Sequence, residues 1–193
     1  MLRHKGAKDA DDFRALVKAV VPSDIYYSSA HYEKPEEDME SKGWLGADLV
    51  FDIDADHMAT PCGKQHDTWT CSKCGISGRG SAPENCPNCG GQKFDDRSWP
   101  CEICLETTKR ETLKLVDVLT DDFGLATQEL AVAFSGHRGY HVHVESDIVQ
   151  SLDQIARREI VDYIVGIGLE PRLHGLEDGL DAGLDEVGWR GRV

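Results

Sequence analysis

The spacing of apolar and polar residues predicts a chain in which helices and strands alternate. The segment 47–54 is rich in β-branched and aromatic residues that alternate with polar ones, which is typical of a strand. Other short extended segments are predicted at 24–32, 130–134 and 140–144. Apolar residues at helical spacing predict helices at 10–20, 101–123 and 151–165. We interpret 33–42 as a loop, and 55–100, which lacks periodicity, as a module folded around metal.

Residues at the helix ends support these boundaries. Asp9 can cap the first helix, Gly124 supplies a C-terminal stop for the second, and Ser151 with Gln154 forms a capping box for the third. The third helix is expected to bury its apolar residues, which are Leu152, Ile155, Ile160, Val161 and Ile164. The sequence after residue 166 is acidic and rich in glycine, and no closing element is predicted there.

Two aspartates share one face of the predicted strand at 47–54. With a period of two, three apolar residues point to one side, and Asp52 and Asp54 point to the other. The two carboxylates then lie roughly 7 Å apart, and they repel each other unless a cation lies between them. Mg²⁺ takes such oxygen ligands and bridges to substrate phosphates. A catalytic site for divalent ions is one interpretation, and a pair of strand-end aspartates facing water is another.

A calcium-binding loop is a third interpretation of this acidic segment. Asp52, Asp54 and Asp56 fit the start of such a loop. His57 stands where the sharp-turn glycine belongs, however, and Gly63 stands where the bidentate glutamate belongs. The calcium interpretation is therefore disfavoured, and the case for catalysis depends on the rest of the chain.

Length and charge restrict the possible classes of protein. A chain of 193 residues is long enough for one domain with a core, or for a domain plus a small metal module. The net charge of −14 argues against a general nucleic-acid coat but not against a local basic site. Acidity spread along the chain suggests a surface adapted to high salt, which screens repulsion between carboxylates. The sequence has no run of 18 apolar residues and no signal peptide, so we expect a cytoplasmic protein without a membrane segment.

All seven cysteines lie between residues 62 and 104, which indicates metal binding in a cytosolic chain. Two Cys-x-x-Cys pairs separated by eleven residues predict one Zn²⁺ site with four thiolates: Cys71, Cys74, Cys86 and Cys89. The remaining three cysteines need a fourth ligand, and both His57 and His66 are close in sequence. We prefer His66, because Cys62-x-x-x-His66 lets both side chains reach one ion. Two zinc ions are therefore expected, the second bound by Cys62, His66, Cys101 and Cys104.

The connection between the last two predicted strands concentrates groups that bind phosphate. In Ser135-Gly-His-Arg-Gly139 the glycines let the backbone approach an anion, the serine hydroxyl can donate to it, and Arg138 offers a planar fork. His141 and His143 then share one face of the following strand. A Gly-x-x-Gly loop alone is more often an ordinary hairpin turn, but its combination with an Asp-x-Asp strand favours phosphate binding.

The ordered set of motifs resembles the small, catalytic subunit of the archaeo-eukaryotic DNA primases. The motifs are Phe51-Asp-Ile-Asp54, the Cys/His cluster, Asp122-Phe-Gly124 and Ser135-Gly-x-Arg-Gly-x-His141. The segment Lys42-Gly-Trp-Leu-Gly-Ala-Asp48 is most similar to archaeal members, and the acidity suggests a haloarchaeal source. The resemblance covers nearly the whole chain.

The resemblance implies a nucleotidyltransferase that makes short RNA primers on single-stranded DNA from ribonucleoside triphosphates, with a large primase subunit as partner. It implies that Asp52 and Asp54 bind two catalytic Mg²⁺ or Mn²⁺ ions. It also implies that Ser135, Arg138 and His141 contact the phosphates of the incoming nucleotide. The Cys62 cluster matches the zinc knuckle of the family, and the ribbon at 71–89 resembles an added insertion.

The expected fold is α+β (α/β in the broad sense), with a mixed sheet that carries the aspartates and the phosphate loop between flanking helices. Residues 1–56 and 101–193 are expected to form part of a primase catalytic core, and 57–104 an inserted zinc-binding ribbon. Family members are longer and carry a third metal-binding carboxylate beyond this sequence, so we expect a fragment with feeble activity alone. Two rival interpretations are a non-catalytic zinc-ribbon module that binds nucleic acid and an inactive truncated product.

Overall fold

The computed structural model describes residues 2–62, 65–174 and 188–192. Its helices are α1 (Ala10–Val20), α2 (Glu102–Asp117), α3 (Asp147–Gln150), α4 (Gln154–Val165) and α5 (Trp189–Arg192). Its strands are β1 (Ala30–Tyr32), β2 (Trp44–Ala47), β3 (Leu49–Asp54), β4 (Thr68–Cys71), β5 (Ser77–Arg79), β6 (Phe94–Arg97), β7 (Leu130–Phe134) and β8 (Gly139–Val144). None of the helices described is long and apolar enough to cross a membrane.

The chain divides into two compact units. One contains the residues up to Val50 together with Val144–Ile167, and the other contains Phe51–His143 and the residues from Gly168 onward. The predicted division into a core and a 57–104 insertion is of a different kind and stays a prediction. The α+β class is confirmed, but the described strands form three small sheets, ordered β1-β2, β3-β8-β7 and β5-β4-β6, rather than one mixed sheet.

The first unit confirms the N-terminal helix and corrects the predicted strand that follows it. The Asp9 side chain caps α1 by accepting hydrogen bonds from the backbone N–H groups of Asp11 and Asp12. The stretch predicted as one strand, 47–54, is divided at Asp48 into the end of β2 and the whole of β3. The Asp48 N–H donates to the Ser29 carbonyl, and its own carbonyl accepts from Arg157. These contacts, far apart in sequence, occupy the backbone groups of Asp48 and interrupt the strand.

Helix α4 begins later than the capping-box pattern predicts. Its N-cap is Asp153, whose carboxylate accepts from the Ala156 N–H at 2.8 Å, whereas the Ser151 hydroxyl donates to the Ile148 carbonyl. The predicted burial of Ile155 and Val161 is also wrong, since they are 72% and 45% exposed. The half-buried stripe instead contains Leu152, Ala156, Ile160, Tyr163 and Ile164.

In the second unit, α2 packs against the 3₁₀ turn Ala55–His57 that follows β3. The buried hydroxyls of Thr108 and Thr112 on α2 donate to carbonyls one turn earlier, so they carry no unpaired polar group into the core. The helix predicted over 101–123 is formed by two elements: α2, which ends at Asp117, and a π-helical turn that follows it directly, Val118–Asp122. Gly124, with φ +69°, provides the predicted stop.

Strands β3 and β8 position the residues of interest in the second unit. The Ala55 N–H donates to the Arg138 carbonyl at 3.0 Å, and further along the strands Asp52 lies beside His141. The contacts run in opposite directions along the two strands, so the pairing is antiparallel. Val142 is fully buried, and His141 and His143 lie on the other, partly exposed face, as the alternation predicts.

Candidate active site and metal centres

Asp52 and Asp54 lie on the less buried face of β3, each opposite a basic side chain. The Asp52 carboxylate is 64% exposed and lies 3.3 Å from His141 Nε2. The Asp54 carboxylate is 22% exposed and lies 3.7 Å from Arg138 Nε. Both basic residues come from β8 or the loop that precedes it, so one strand pairing brings all four side chains together.

The loop Ser135–Gly139, which we call the phosphate loop, is held in shape by its own serine. Ser135 Oγ accepts hydrogen bonds from the N–H of Gly139 at 3.0 Å and of His137 at 3.4 Å. The Ser135 N–H in turn donates to the Gly139 carbonyl. Gly136 adopts φ +83°, a conformation that favours glycine. The backbone N–H groups of His137 and Gly139 therefore shape the loop and are not directed at an anion.

Gly139 lets the phosphate loop approach β3 closely. A Cβ atom built on Gly139 would collide with the Ile53 carbonyl and with the Asp54 carboxylate. Only glycine fits between the loop and the strand without displacing one of them. This close approach is what sets the Arg138 guanidinium beside Asp54.

Asp56 is a member of this site that the sequence pattern did not assign. Its Oδ2 accepts from Arg138 Nη1 at 2.7 Å, which is shorter than the contact between Arg138 and Asp54. Asp56 lies in the turn Ala55–His57, where the alternation of a strand no longer applies. The only sequence signal was its place two residues after Asp54, which also suited a calcium loop. The partner of Asp56 lies 82 residues away and could not be inferred from that spacing.

Cys62, His66, Cys101 and Cys104 lie together, with one ligand atom from each within 4.8 Å of the others. His66 Nε2 is 3.0 Å from Cys104 Sγ, and Cys62 Sγ is 3.2 Å from the same sulfur. His57, the alternative ligand, is not a member of this group and has a side chain 84% exposed. Burial raises the pKa of Cys104 to about 11 despite a hydrogen bond with Thr60, so this thiol needs a bound cation to lose its proton at neutral pH.

A carboxylate supports the histidine of this cluster. Asp67 Oδ1 lies 2.8 Å from His66 Nδ1, at ion-pair distance but without hydrogen-bond geometry, and it accepts a hydrogen bond from Ser98 Oγ at 2.9 Å. A carboxylate on one ring nitrogen is the usual arrangement for a histidine whose other nitrogen binds a metal. Asp67 was not predicted from the sequence, although its position next to a candidate ligand was an available signal.

Cys71, Cys74, Cys86 and Cys89 form a second group, in which the ligand atoms also lie within 4.8 Å of one another. The two Cys-x-x-Cys turns have the same geometry. The N–H of Gly75 donates to the Cys71 carbonyl, the N–H of Gly90 donates to the Cys86 carbonyl, and each glycine has positive φ. Strand β4 ends at Cys71 and pairs with β5 and β6 on either side. Ribbon and turns together bring four thiols to one point.

The thiols of this second group differ in how readily they ionise. Hydrogen bonds from the Asn88 side chain and the Ile76 backbone lower the pKa of Cys74 to about 6. At Cys89 a hydrogen bond from the Gly91 backbone lowers the pKa, but burial and the neighbouring thiols outweigh it and raise the pKa to about 12. Several thiolates this close repel one another, and a dication removes that conflict. The donor sets of both groups, four thiols and three thiols with one imidazole, fit tetrahedral zinc.

Asp52 and Asp54 belong to neither of these groups. Among the described residues, the two cysteine clusters are the groups whose candidate ligand atoms converge within 4.8 Å. The aspartates offer carboxylates on one strand face, which is the ligand type that Mg²⁺ and Mn²⁺ take. Their assignment to catalytic ions therefore stays a prediction.

Comparison with known proteins gives a consistent result. A family model described as DNA primase small subunit matches residues 94–186. The DNA primase small subunit of Cenarchaeum symbiosum is 38% identical over 198 residues, which cover all of this chain and 52% of that protein. The subunit of Archaeoglobus fulgidus is 42% identical over 165 residues, or 85% of this chain and 38% of that protein. The subunit of Methanothrix thermoacetophila is 36% identical over 207 residues, which cover 100% of this chain and 44% of that protein.

The chain spans about half the length of the curated relatives that it matches most extensively. These relatives come from other archaea, so the haloarchaeal source suggested by the acidity stays a prediction. The resemblance inferred from the motifs agrees with the comparisons in both family and subunit. Over its whole length, this chain is similar to about half of the small subunit of archaeal DNA primases.

Proposed function

We propose that this chain carries the nucleotidyl transfer site of a primase small subunit and takes part in the synthesis of short RNA primers on single-stranded DNA. The observation that carries the proposal is the contact of Arg138 with Asp54 and Asp56. It joins the carboxylates of β3 and the phosphate loop, which are separate motifs in the sequence, into one site. The similarity to archaeal primase small subunits supports the same assignment.

In this proposal Asp52 and Asp54 hold two Mg²⁺ or Mn²⁺ ions. When bound, such ions align the attacking 3′-hydroxyl with the α-phosphate and stabilise the pyrophosphate that leaves. Ser135, Arg138 and His141 bind the phosphates of the ribonucleoside triphosphate. His141 lies beside Asp52, so its phosphate contact is next to the proposed metal ligands. Since little covalent chemistry falls to the protein, positioning and charge neutralisation account for most of the rate.

Asp56 has a separate role in the proposed mechanism. A guanidinium must be held in a fixed direction to bind phosphate through two parallel hydrogen bonds. Asp56 accepts from Nη1 of Arg138 at 2.7 Å. It thereby fixes the orientation of Arg138 when Asp54 is engaged elsewhere.

The two cysteine clusters are proposed to bind two zinc ions with a structural role, since four protein ligands leave no open position on either ion. The proposed partners are a large primase subunit and a single-stranded DNA template. The Cys62 cluster includes Cys101, the N-cap of α2, so zinc at this cluster would fix α2 against the turn that follows β3.

Labelled-nucleotide incorporation on a single-stranded template, with Mn²⁺, tests this function. Asp52→Asn and Asp54→Asn should each lower the rate at least about 100-fold, because a catalytic metal ion contributes several kcal/mol to transition-state stabilisation. Asp11→Asn, at a carboxylate 92% exposed on α1, is the matched control and should be neutral. The corresponding pair is also changed in the full-length subunit of Cenarchaeum symbiosum. Full activity after both changes in that protein would end the proposal.

A further inference from the structure

An exposed tryptophan lies against the phosphate loop. The side chain of Trp99 is 69% exposed, yet its ring centroid is only 5.0 Å from that of His137, with 60° between the ring planes. His137 is the residue immediately before Arg138 in the loop. Single exposed apolar side chains are common and need no explanation of their own. The position of Trp99, beside the residues proposed to bind phosphate, is therefore what carries the argument.

The backbone on both sides of Trp99 is anchored. Ser98 donates its hydroxyl to Asp67, and Pro100 is buried. The next residue, Cys101, belongs to the Cys62 cluster and is the N-cap of α2. The proline also restricts Trp99 itself to an extended backbone. The indole is thus presented to solvent from a fixed position, and a ligand that stacks on it loses little conformational entropy of the protein.

The chemistry of a nucleoside triphosphate suits a cationic phosphate loop with an exposed indole beside it. Its phosphates require the cationic loop, and its base is a flat aromatic ring joined to them through one sugar. When Arg138 holds the phosphates, the base lies within the length of one nucleotide from the loop. Trp99 offers an aromatic face of the right type in that neighbourhood, since its ring lies against His137, the residue that precedes Arg138.

We infer that Trp99 forms a base-stacking subsite for the nucleoside triphosphate whose phosphates the loop binds. The inference rests on the proposed function, since it takes the phosphate loop as the triphosphate site. Every base has a π-face, so stacking on an indole is tolerant of sequence. The subsite should therefore contribute to the binding of purine and pyrimidine nucleotides alike.

Equilibrium titration with two probes, ATP and inorganic tripolyphosphate, isolates the contribution of the base. Trp99→Ala should weaken the binding of ATP about 5- to 150-fold, which is the range for one base stacked on an aromatic side chain. The affinity for tripolyphosphate, which has no base, should not change. Trp99→Phe should keep most of the ATP affinity, since it keeps an aromatic face. Trp44→Ala, at a tryptophan 51% exposed on β2, is the matched control and should have no effect.

The outcomes separate this inference from the proposed function. Equal losses for ATP and tripolyphosphate in Trp99→Ala, or no loss for ATP, would overturn the stacking subsite. A single-stranded oligodeoxynucleotide serves as a third probe. A loss of affinity confined to this probe would overturn the subsite as well, because Trp99 would then stack on a base of the DNA. Zinc content is measured for each variant, and Trp99→Leu, which keeps an apolar side chain but no aromatic face, should show the same selective loss of ATP affinity if the alanine variant does not fold. An Arg138→Ala variant with unchanged tripolyphosphate affinity would count against the proposed function instead.

Discussion

At the scale of single residues, Arg138 unites the proposed site. Its side chain is 35% exposed and contacts two carboxylates, so it is neither buried in a core nor free in solvent. The residue type and the flanking glycines were sufficient to predict that Arg138 is a candidate phosphate ligand. Its partner Asp56 was not predictable, because the turn after β3 ends the period-two pattern and the contact spans 82 residues.

Replacement of Arg138 tests this role directly. Arg138→Ala should weaken the binding of tripolyphosphate by about 1.5–3 kcal/mol, the range for hydrogen bonds to charged groups. Arg138→Lys should recover only part of the affinity, since an ammonium lacks the planar fork. Arg79→Ala, an exposed arginine on β5, is the control. Isothermal titration measures the affinities, and equal values for all variants would return the loop to an ordinary hairpin turn.

Asp67 makes a second prediction at this scale. Its contact with His66 Nδ1 at 2.8 Å should hold the imidazole with Nε2 toward the cysteines. Asp67→Asn should lower zinc affinity at the Cys62 cluster about 10- to 100-fold, as loss of such outer contacts typically does. Competition with a chelator measures this affinity without any activity assay. Asp95→Asn, at an exposed carboxylate on β6, is the control, and an equal loss there would remove the specific role of Asp67.

At the scale of elements, the antiparallel pairing of β3 with β8 places the aspartates beside the phosphate loop. The strand alternation predicted which side chains share a face, and both histidines and both aspartates follow it. The break at Asp48 was not predictable, because Ser29 and Arg157 supply its hydrogen-bond partners from far along the chain. The start of α4 was misplaced because two capping candidates, Ser151 and Asp153, lie two residues apart.

The pairing of these strands depends on Gly139. Gly139→Ala should lower the thermal midpoint of the zinc-loaded protein, because the new methyl group collides with the Ile53 carbonyl and the Asp54 side chain. Forced overpacking of this kind costs about 1–3 kcal/mol or more. Gly136→Ala is the matched change in the same loop: it meets no atom within 4 Å and bears only the strain of φ +83°. A Gly139→Ala variant as stable as Gly136→Ala would contradict the close approach.

The two cysteine clusters make a prediction about metal content. Elemental analysis should find about two zinc ions per chain, at four ligands per site. Cys86→Ser should release one of them and loosen the β4–β5–β6 ribbon. Cys101→Ser should release the other zinc ion and also disturb the structure of β3, because α2 packs against the turn that follows that strand. One zinc ion in the unchanged protein would contradict the two-site assignment.

At the scale of the whole molecule, two arginines of this acidic chain, Arg138 and Arg192, each contact carboxylates far away in sequence. Arg138 contacts two carboxylates of the proposed site. Arg192 donates to Asp122, whose side chain is only 4% exposed. This second contact anchors α5, a helix that was not predicted from the sequence. The sequence after residue 166 is acidic and rich in glycine and has no helical pattern of apolar residues, so it gave no signal for α5. Residues 175–187 lie outside the described part of the chain.

The sequence was most informative where one local rule sufficed. Cys-x-x-Cys spacing predicted the members of the second cluster, and Cys62-x-x-x-His66 predicted the choice of His66 that brings the first group together. The sheets were harder, because three short antiparallel sheets and one mixed sheet have the same local pattern. Contacts between distant residues, such as Asp56 with Arg138 and Asp67 with Ser98, were beyond any rule based on spacing.

In the proposed site, Asp52 and Asp54 hold divalent ions together with a triphosphate bound by the phosphate loop. The most direct test is a titration with Mn²⁺, followed by electron paramagnetic resonance, on zinc-loaded protein with and without ATP. We predict that ATP strengthens Mn²⁺ binding, because its phosphates complete the oxygen ligands, and that Asp52→Asn and Asp54→Asn each weaken it while leaving zinc content unchanged. Mn²⁺ binding that is the same in the unchanged protein and in both variants would contradict the assignment of Asp52 and Asp54 as metal ligands.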